Sequence, residues 1–210
     1  MLYFMISTFL RKMATIYFKE HKNRAREKVF FEFLKKELPD AEHVNLNYPL
    51  GDDLFVNFID IPKIIALLEK DKKLRESRRK QTIEALTVLP DKVRVAKSIN
   101  DVSVDFAIVS ENDIHFIEFH EDQHRRLTVE RKTPIICTDN RRFEIPRFVQ
   151  RLLKDIWRME NLPNYKIAWW DWFEENKDKI TIADILASNK REFSIPGTFT
   201  ITELLKLDYK

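Results

Sequence analysis

The sequence predicts a single α/β domain over residues 1–210, and three observations carry that expectation. Apolar runs of strand type, "KVRVAKSI", "VDFAIV", "IHFIEFH" and "TPIICT", crowd the middle of the chain. Amphipathic helical patterns precede and follow them. No repeat and no low-complexity linker interrupts the order.

The first 22 residues open with "MLYFMISTFL", which superficially suggests a secretory leader. No basic residue precedes the apolar part, which stops at Arg11 and is too short to span a bilayer. Residues 1–22 are therefore expected to form the first structural segment, with Met13 a possible alternative start. "NRAREKVFFEFLKKEL" (23–38) predicts an amphipathic helix that buries Phe30, Phe33 and Leu34, exposes Lys35 and Lys36, and ends at Pro39 and Asp40. Residues 41–61 combine turn chemistry with a short apolar run and receive no assignment. Residues 62–90 predict one long helix or two, rich in Lys and Arg through "KDKKLRESRRK" and closed by Pro90 and Asp91. After the strand candidates, "IPRFVQRLLKDIWRME" has helical spacing, with Phe148, Leu152, Leu153 and Ile156 on one side. "YKIAWWDWF" (165–173) is strand-like in its aromatic and β-branched content, and "FTITELLKL" predicts a last short helix.

Composition narrows the function classes. The chain is 44% hydrophobic and 34% charged, as in a globular protein with a heavily ionised surface, and long enough to bury a core without a metal or disulfide staple. A formal net charge of +3 neither demands nor forbids nucleic acid, because binding to phosphates depends on a local patch. Cys137 is the single cysteine, so no intrachain disulfide forms and a reducing, cytoplasmic setting is the natural expectation. Within "PIICT" it reads as a small buried hydrophobe, not a nucleophile. With Gly51 and Gly197 the only glycines, neither a phosphate-cradling loop nor a dinucleotide fingerprint can be assembled.

The chemistry concentrates in "VDFAIVSENDIHFIEFHEDQH" (104–124). "SEND" separates two apolar runs with residues that reverse a chain, so the runs should pair as a hairpin. In the resulting register Val109 faces Ile114, Ala107 faces Phe116, and Asp105 faces Glu118. Opposed residues have Cβ atoms about 5 Å apart, where like charges repel. A divalent cation between the carboxylates relieves that repulsion, and magnesium accepts one or two carboxylates while keeping waters. His120, two residues past Glu118, projects from the same face. Apolar side chains on both faces of the hairpin predict strands covered on two sides, with this charged end opening into a cleft. The competing reading is ordinary neutralisation by Lys97, Arg125 or Arg126, with His120 at the surface.

An acid at the start of one strand, a hairpin, then Glu-x-His on the next, framed by an earlier helix and the later "FVQRLLKDIW" helix, resembles the PD-(D/E)XK nuclease superfamily, which includes many type II restriction endonucleases. The resemblance spans about residues 23–173 as an order of elements, and its motif is three residues long. It implies a central mixed β-sheet flanked by helices, a restriction-endonuclease-like core, and Mg2+-dependent hydrolysis of double-stranded DNA. Asp105 and Glu118 then stand where the family has its metal ligands. His120 stands where the family usually has lysine, so His120 or Lys97 fills that role. Val104 replaces the proline that often precedes the first acid. Glu27 on the first helix is the candidate for an assisting acid, whereas Glu32 should point away.

Two basic stretches after the hairpin supply candidate DNA contacts. Arg125, Arg126, Arg131 and Lys132 lie in the first, and Asn140, Arg141, Arg142 and Arg147 in the second. A restriction enzyme on a palindrome would act as a homodimer. Two other classes stay open. His115, Glu118, His120, Glu121 and His124 could form a zinc site, although alternation points His115 away from Glu118 and His120. A non-catalytic module could bind nucleic acid or protein through Trp169, Trp170 and Trp172, residues that otherwise read as core.

Overall fold

The computed structural model describes residues 14–20, 25–51, 58–72, 74–95, 102–120, 132–137 and 141–194; within 132–137 only the side chain of Ile135 is described. In chain order the first elements are β1 (Thr15–Phe18), α1 (Ala25–Glu37), β2 (Glu42–Val44), β3 (Ile59–Asp60), α2 (Ile61–Lys70), α3 (Glu76–Thr87) and β4 (Lys92–Arg94). The hairpin strands β5 (Phe106–Val109) and β6 (Ile114–His120) follow, then β7 (Lys132–Cys137), β8 (Arg142–Pro146) and α4 (Arg147–Asn161). The last are β9 (Tyr165–Trp169), α5 (Trp170–Asn176), α6 (Ile182–Ala187) and β10 (Glu192–Phe193). The chain groups into two compact units, one of residues 1–49, 103–122 and 162–195, the other of 50–102, 123–161 and 196–210. Among the described residues no helix is long and apolar enough to cross a membrane.

The first unit holds a six-stranded mixed sheet in the order β10-β9-β6-β5-β1-β2. β1, β5 and β6 pair antiparallel, whereas β9 is parallel to β6 and to β10, and β2 is parallel to β1. Phe106, Ile108, Ile117 and Phe119 form one face, and α1, α5 and α6 cover it. Phe30 of α1 sits 4.9 Å from Phe119 and 5.1 Å from Phe106, ring to ring, so the helix is held by aromatic packing. Glu27 in its first turn and Lys35 and Lys36 in its last complement the helix dipole. Its buried residues are Glu27, Phe30 and Leu34, while Phe33 is only half-buried. Asn164 precedes β9 with φ 49°, a left-handed conformation that asparagine tolerates, and its Nδ2 donates to Ile114 O at 3.2 Å. That bond ties the entry of β9 to the start of β6 and helps set their register. This α/β architecture, a mixed sheet flanked by helices, is the coarse class that the sequence predicts.

The aromatic run 165–173 departs from expectation: the strand ends at Trp169 and Trp170 starts a helix. Trp170 and Trp172 thereby pack against the core, Trp170 5.8 Å from Phe173 and Trp172 5.0 Å from Phe193. Aromatic content suits either state; the apolar face beneath α5 selects the helix.

The second unit carries an antiparallel sheet, β3-β4-β7-β8. The basic region 62–90 forms two helices, broken at Asp71, whose Oδ1 accepts from Leu74 N at 3.2 Å and whose carbonyl accepts from Arg79 Nη1 at 2.7 Å. Asp60 caps α2, its Oδ1 accepting from Lys63 N at 3.0 Å. On α4, Leu152, Leu153 and Ile156 are buried as the spacing predicts; Val149 is buried as well, while Phe148 is half-buried under the Arg78 guanidinium, 4.5 Å from its ring centre. α4 also buries Asp155 and Arg158, paired at 3.0 Å, with Arg158 Nε donating to Val102 O at 3.1 Å. Residues 142–146, read as part of a basic stretch, form β8 opposite β7. "KVRVAKSI" yields the strand Lys92–Arg94, and its residues 96–99 lie outside the described residues, as does the "FTITELLKL" segment.

Candidate functional site

Ser110 and Asp113 build the reversal between β5 and β6. Ser110 N donates to Asp113 O at 2.8 Å, and Ser110 Oγ accepts from Asp113 N at 3.2 Å. The turn fixes the register: Val109 pairs with Ile114, Ala107 with Phe116 and Phe106 with Ile117. One step further along the same ladder, Asp105 meets Glu118. Their carboxylates hold the hairpin end crosswise. Asp105 Oδ2 accepts from Phe119 N at 2.9 Å, and Glu118 Oε2 accepts from Asp105 N at 3.3 Å. Both residues are half-buried.

His120 shares the Glu118 face by alternation and is 1% exposed, so it does not lie at the surface. A Glu118 carboxylate oxygen and a His120 ring nitrogen lie within 4.8 Å of each other. Two ligands of one ion, each at about 2.1 Å, are separated by no more than about 4.2 Å, so this spacing is compatible with a shared cation after small side-chain adjustments. A carboxylate has two oxygens and about four acceptor directions, so one backbone bond does not exhaust it. A Glu118 oxygen and a His120 nitrogen are thus two potential ligand atoms on one face of the hairpin.

β9 extends this face. His120 pairs with Trp169 and Glu118 with Ile167, and β10 places Glu192 beside Ile167. The His120 and Trp169 rings meet edge to face, 4.6 Å between centroids at 87°. Trp169 Nε1 donates to Glu192 Oε1 at 2.7 Å. On the other flank, Phe18 pairs with Phe106 in an antiparallel register, which carries Lys19 to the same end of the sheet as Asp105. Trp169, Glu192 and Lys19 escaped the sequence reading of the site. Trp169 stood out only as a core or stacking residue, and Glu192 belongs to a two-residue strand that exists through its pairing with β9.

Other candidates fall elsewhere. Glu27 is buried as expected, but on the α1 face that packs against Phe106 and Phe119, the opposite side of the strands from Glu118 and His120. Glu32 is exposed and bonded to Lys35. Lys97, Arg125, Arg126, Arg131 and Asn140 lie outside the described residues; Lys132 is in β7 with its side chain not described. Cys137 ends β7, and its side chain is likewise not described. Arg141, Arg142 and Arg147 are exposed in the second unit, Arg141 with its guanidinium 5.6 Å from the Phe143 ring centre. His115 pairs with Ile108 on the face away from Glu118, and burial, with the Lys166 ammonium adding to it, lowers its pKa. Of the remaining residues in the His/Glu run, Glu121 and His124 lie outside the described residues.

No family model matches the chain, and neither a curated protein nor a solved structure matches it.

Proposed function

We propose that the protein is a metal-dependent nuclease that hydrolyses phosphodiester bonds in DNA, acting in the manner of a type II restriction endonuclease. The observation that supports this reading most is the crosswise pairing of Asp105 and Glu118 at the end of one hairpin, with a His120 ring nitrogen within 4.8 Å of a Glu118 oxygen. Like charges placed side by side repel, and a bound cation would relieve that repulsion. Asp105 and Glu118 would hold Mg2+, which, when bound, neutralises phosphate charge and acidifies a water.

The chain's own groups account for the remaining needs of hydrolysis. His120 accepts a proton at a ring nitrogen from the attacking water. As the water oxygen bonds to phosphorus, the bond to the leaving oxygen breaks, and that oxygen takes its proton from solvent. Lys19, exposed at the same end of the sheet as Asp105, offers the ammonium that the Glu-x-His motif lacks. The exposed Arg141, Arg142 and Arg147 are available to DNA phosphates.

Purified protein incubated with unmethylated phage DNA and Mg2+ or Mn2+ is expected to yield discrete fragments. Asp105→Asn and Glu118→Gln should each lower cleavage by at least about a hundredfold, the scale on which loss of a charge-stabilising group acts. Intact DNA with both ions across a range of salt would overturn the reading. A pure binding module would keep its behaviour in both variants, and zinc retained through purification would point to the zinc alternative.

A further inference from the structure

We propose that Trp169 and Glu192 are positioning residues that lock the His120 imidazole in the orientation its chemistry needs. The inference deepens the nuclease reading and rests on it for its activity measurement alone. Glu192 is 9% exposed on a two-residue strand, where an apolar side chain would satisfy the packing at lower cost. Its Oε1 instead accepts from Trp169 Nε1 at 2.7 Å, short for an N–H···O bond. An indole has a single donor, so this bond fixes the rotation of the Trp169 ring within its strand. The fixed ring meets the His120 ring at 87° with 4.6 Å between centroids.

The register makes the arrangement directional. Parallel pairing sets Glu118, Ile167 and Glu192 in one row and, two residues on and so on the same face, His120 beside Trp169. A carboxylate on the edge strand β10 thus acts through an indole on β9 upon an imidazole on β6. The His120 ring nitrogen within 4.8 Å of a Glu118 oxygen is the atom whose aim this chain of contacts controls. A ring that must present one nitrogen to a water gains from such a lock, because small errors in orientation are costly in rate.

The test uses the full-length protein with Glu192→Gln, Glu192→Leu and Trp169→Phe. Glutamine retains an oxygen acceptor for the indole; leucine removes the acceptor, and phenylalanine removes the donor while keeping a ring. The first readout is nuclear magnetic resonance of the Trp169 indole proton and the His120 ring nitrogens, which needs no activity. The second is kcat and KM for DNA cleavage with Mn2+. Glu192→Gln should keep the wild-type His120 signals and kcat. Glu192→Leu and Trp169→Phe should both shift those signals and lower kcat by about ten- to a hundredfold with KM unchanged, the range typical of an orienting partner. If Glu192→Leu does not fold, Trp169→Phe carries the same prediction. Unmoved His120 signals in a folded Trp169→Phe protein overturn the proposal. Wild-type protein that cuts no DNA overturns the nuclease reading instead, and the ring signals still decide whether His120 is positioned as inferred.

Discussion

In the four-stranded unit the buried charges of α4 answer one another: Asp155 and Arg158, 1% and 5% exposed, meet at 3.0 Å, and the guanidinium also donates to Val102 O. In the six-stranded unit the acids at the hairpin end are of one sign, and each takes a backbone N–H from around the other. In the first arrangement opposite charges meet. In the second, two carboxylates sit together, and each accepts a backbone N–H across the hairpin end. The contrast sets an opposite-charge pair, stabilised by its partner, against a like-charge pair, in which neighbouring carboxylates repel.

The largest expected effect tests that distinction directly. Arg158→Ala leaves Asp155 buried without its guanidinium and should cost about 3–5 kcal/mol, read as a lower urea midpoint. Asp105→Asn, measured with EDTA present, should cost nothing or gain up to about 1 kcal/mol, because asparagine still offers an oxygen to Phe119 N–H while the like-charge contact disappears. Added Mg2+ should raise the wild-type midpoint and leave that of Asp105→Asn where it was. If Asp105→Asn loses as much stability as Arg158→Ala, the two regions are alike and the hairpin acids are structural.

A smaller effect probes how the six-stranded unit holds its helices. Thr181 and Asp184 form a capping box on α6: Thr181 Oγ1 accepts from Asp184 N at 3.2 Å, and Asp184 Oδ2 accepts from Thr181 N at 2.9 Å. Thr181→Ala should cost about 1 kcal/mol, with faster amide exchange along residues 182–187. Exchange there that matches wild type would show that Ile182, Ile185 and Leu186 hold the helix by packing alone.

What was legible in advance follows from how locally each feature is determined. The Asp105–Glu118 opposition could be read because "SEND" fixes the turn and the turn fixes every pair behind it. The inner face of α4 could be read because Leu152, Leu153 and Ile156 repeat at helical spacing. The change from strand to helix at Trp170 could not, since it depends on the Phe173 contact and not on composition. Glu192 was hidden for the same reason: two residues make a strand only beside Ile167 and Ala168. The grouping into two units left no trace either, because the chain enters each of them three times and no polar linker marks the changes. Of the candidate site, the residues on one hairpin were therefore visible, and those supplied by neighbouring strands were not.

The smallest effect concerns the other side of the hairpin, where His115 is half-buried opposite Ile108. Burial lowers its pKa, the Lys166 ammonium lowers it further, and Asp113 raises it in part, so the folded chain releases the proton below the usual 6.5. The unfolded chain takes up its proton near 6.5, and between that pH and the lower folded pKa it binds more protons than the native state does. Stability attributable to His115 is therefore whole above about pH 6.5 and falls as the solution is acidified through that window. His115→Gln should flatten the urea midpoint against pH as the solution is acidified below about 6.5, relative to wild type. Lys166 obeys the same sign at the alkaline end: burial, then Arg191, lowers its pKa from 10.5, so its contribution grows as pH rises towards that value. The two windows do not overlap, and the His115 slope can be assigned without reference to the lysine. A midpoint that keeps its full acid slope in His115→Gln would place the titrating group elsewhere.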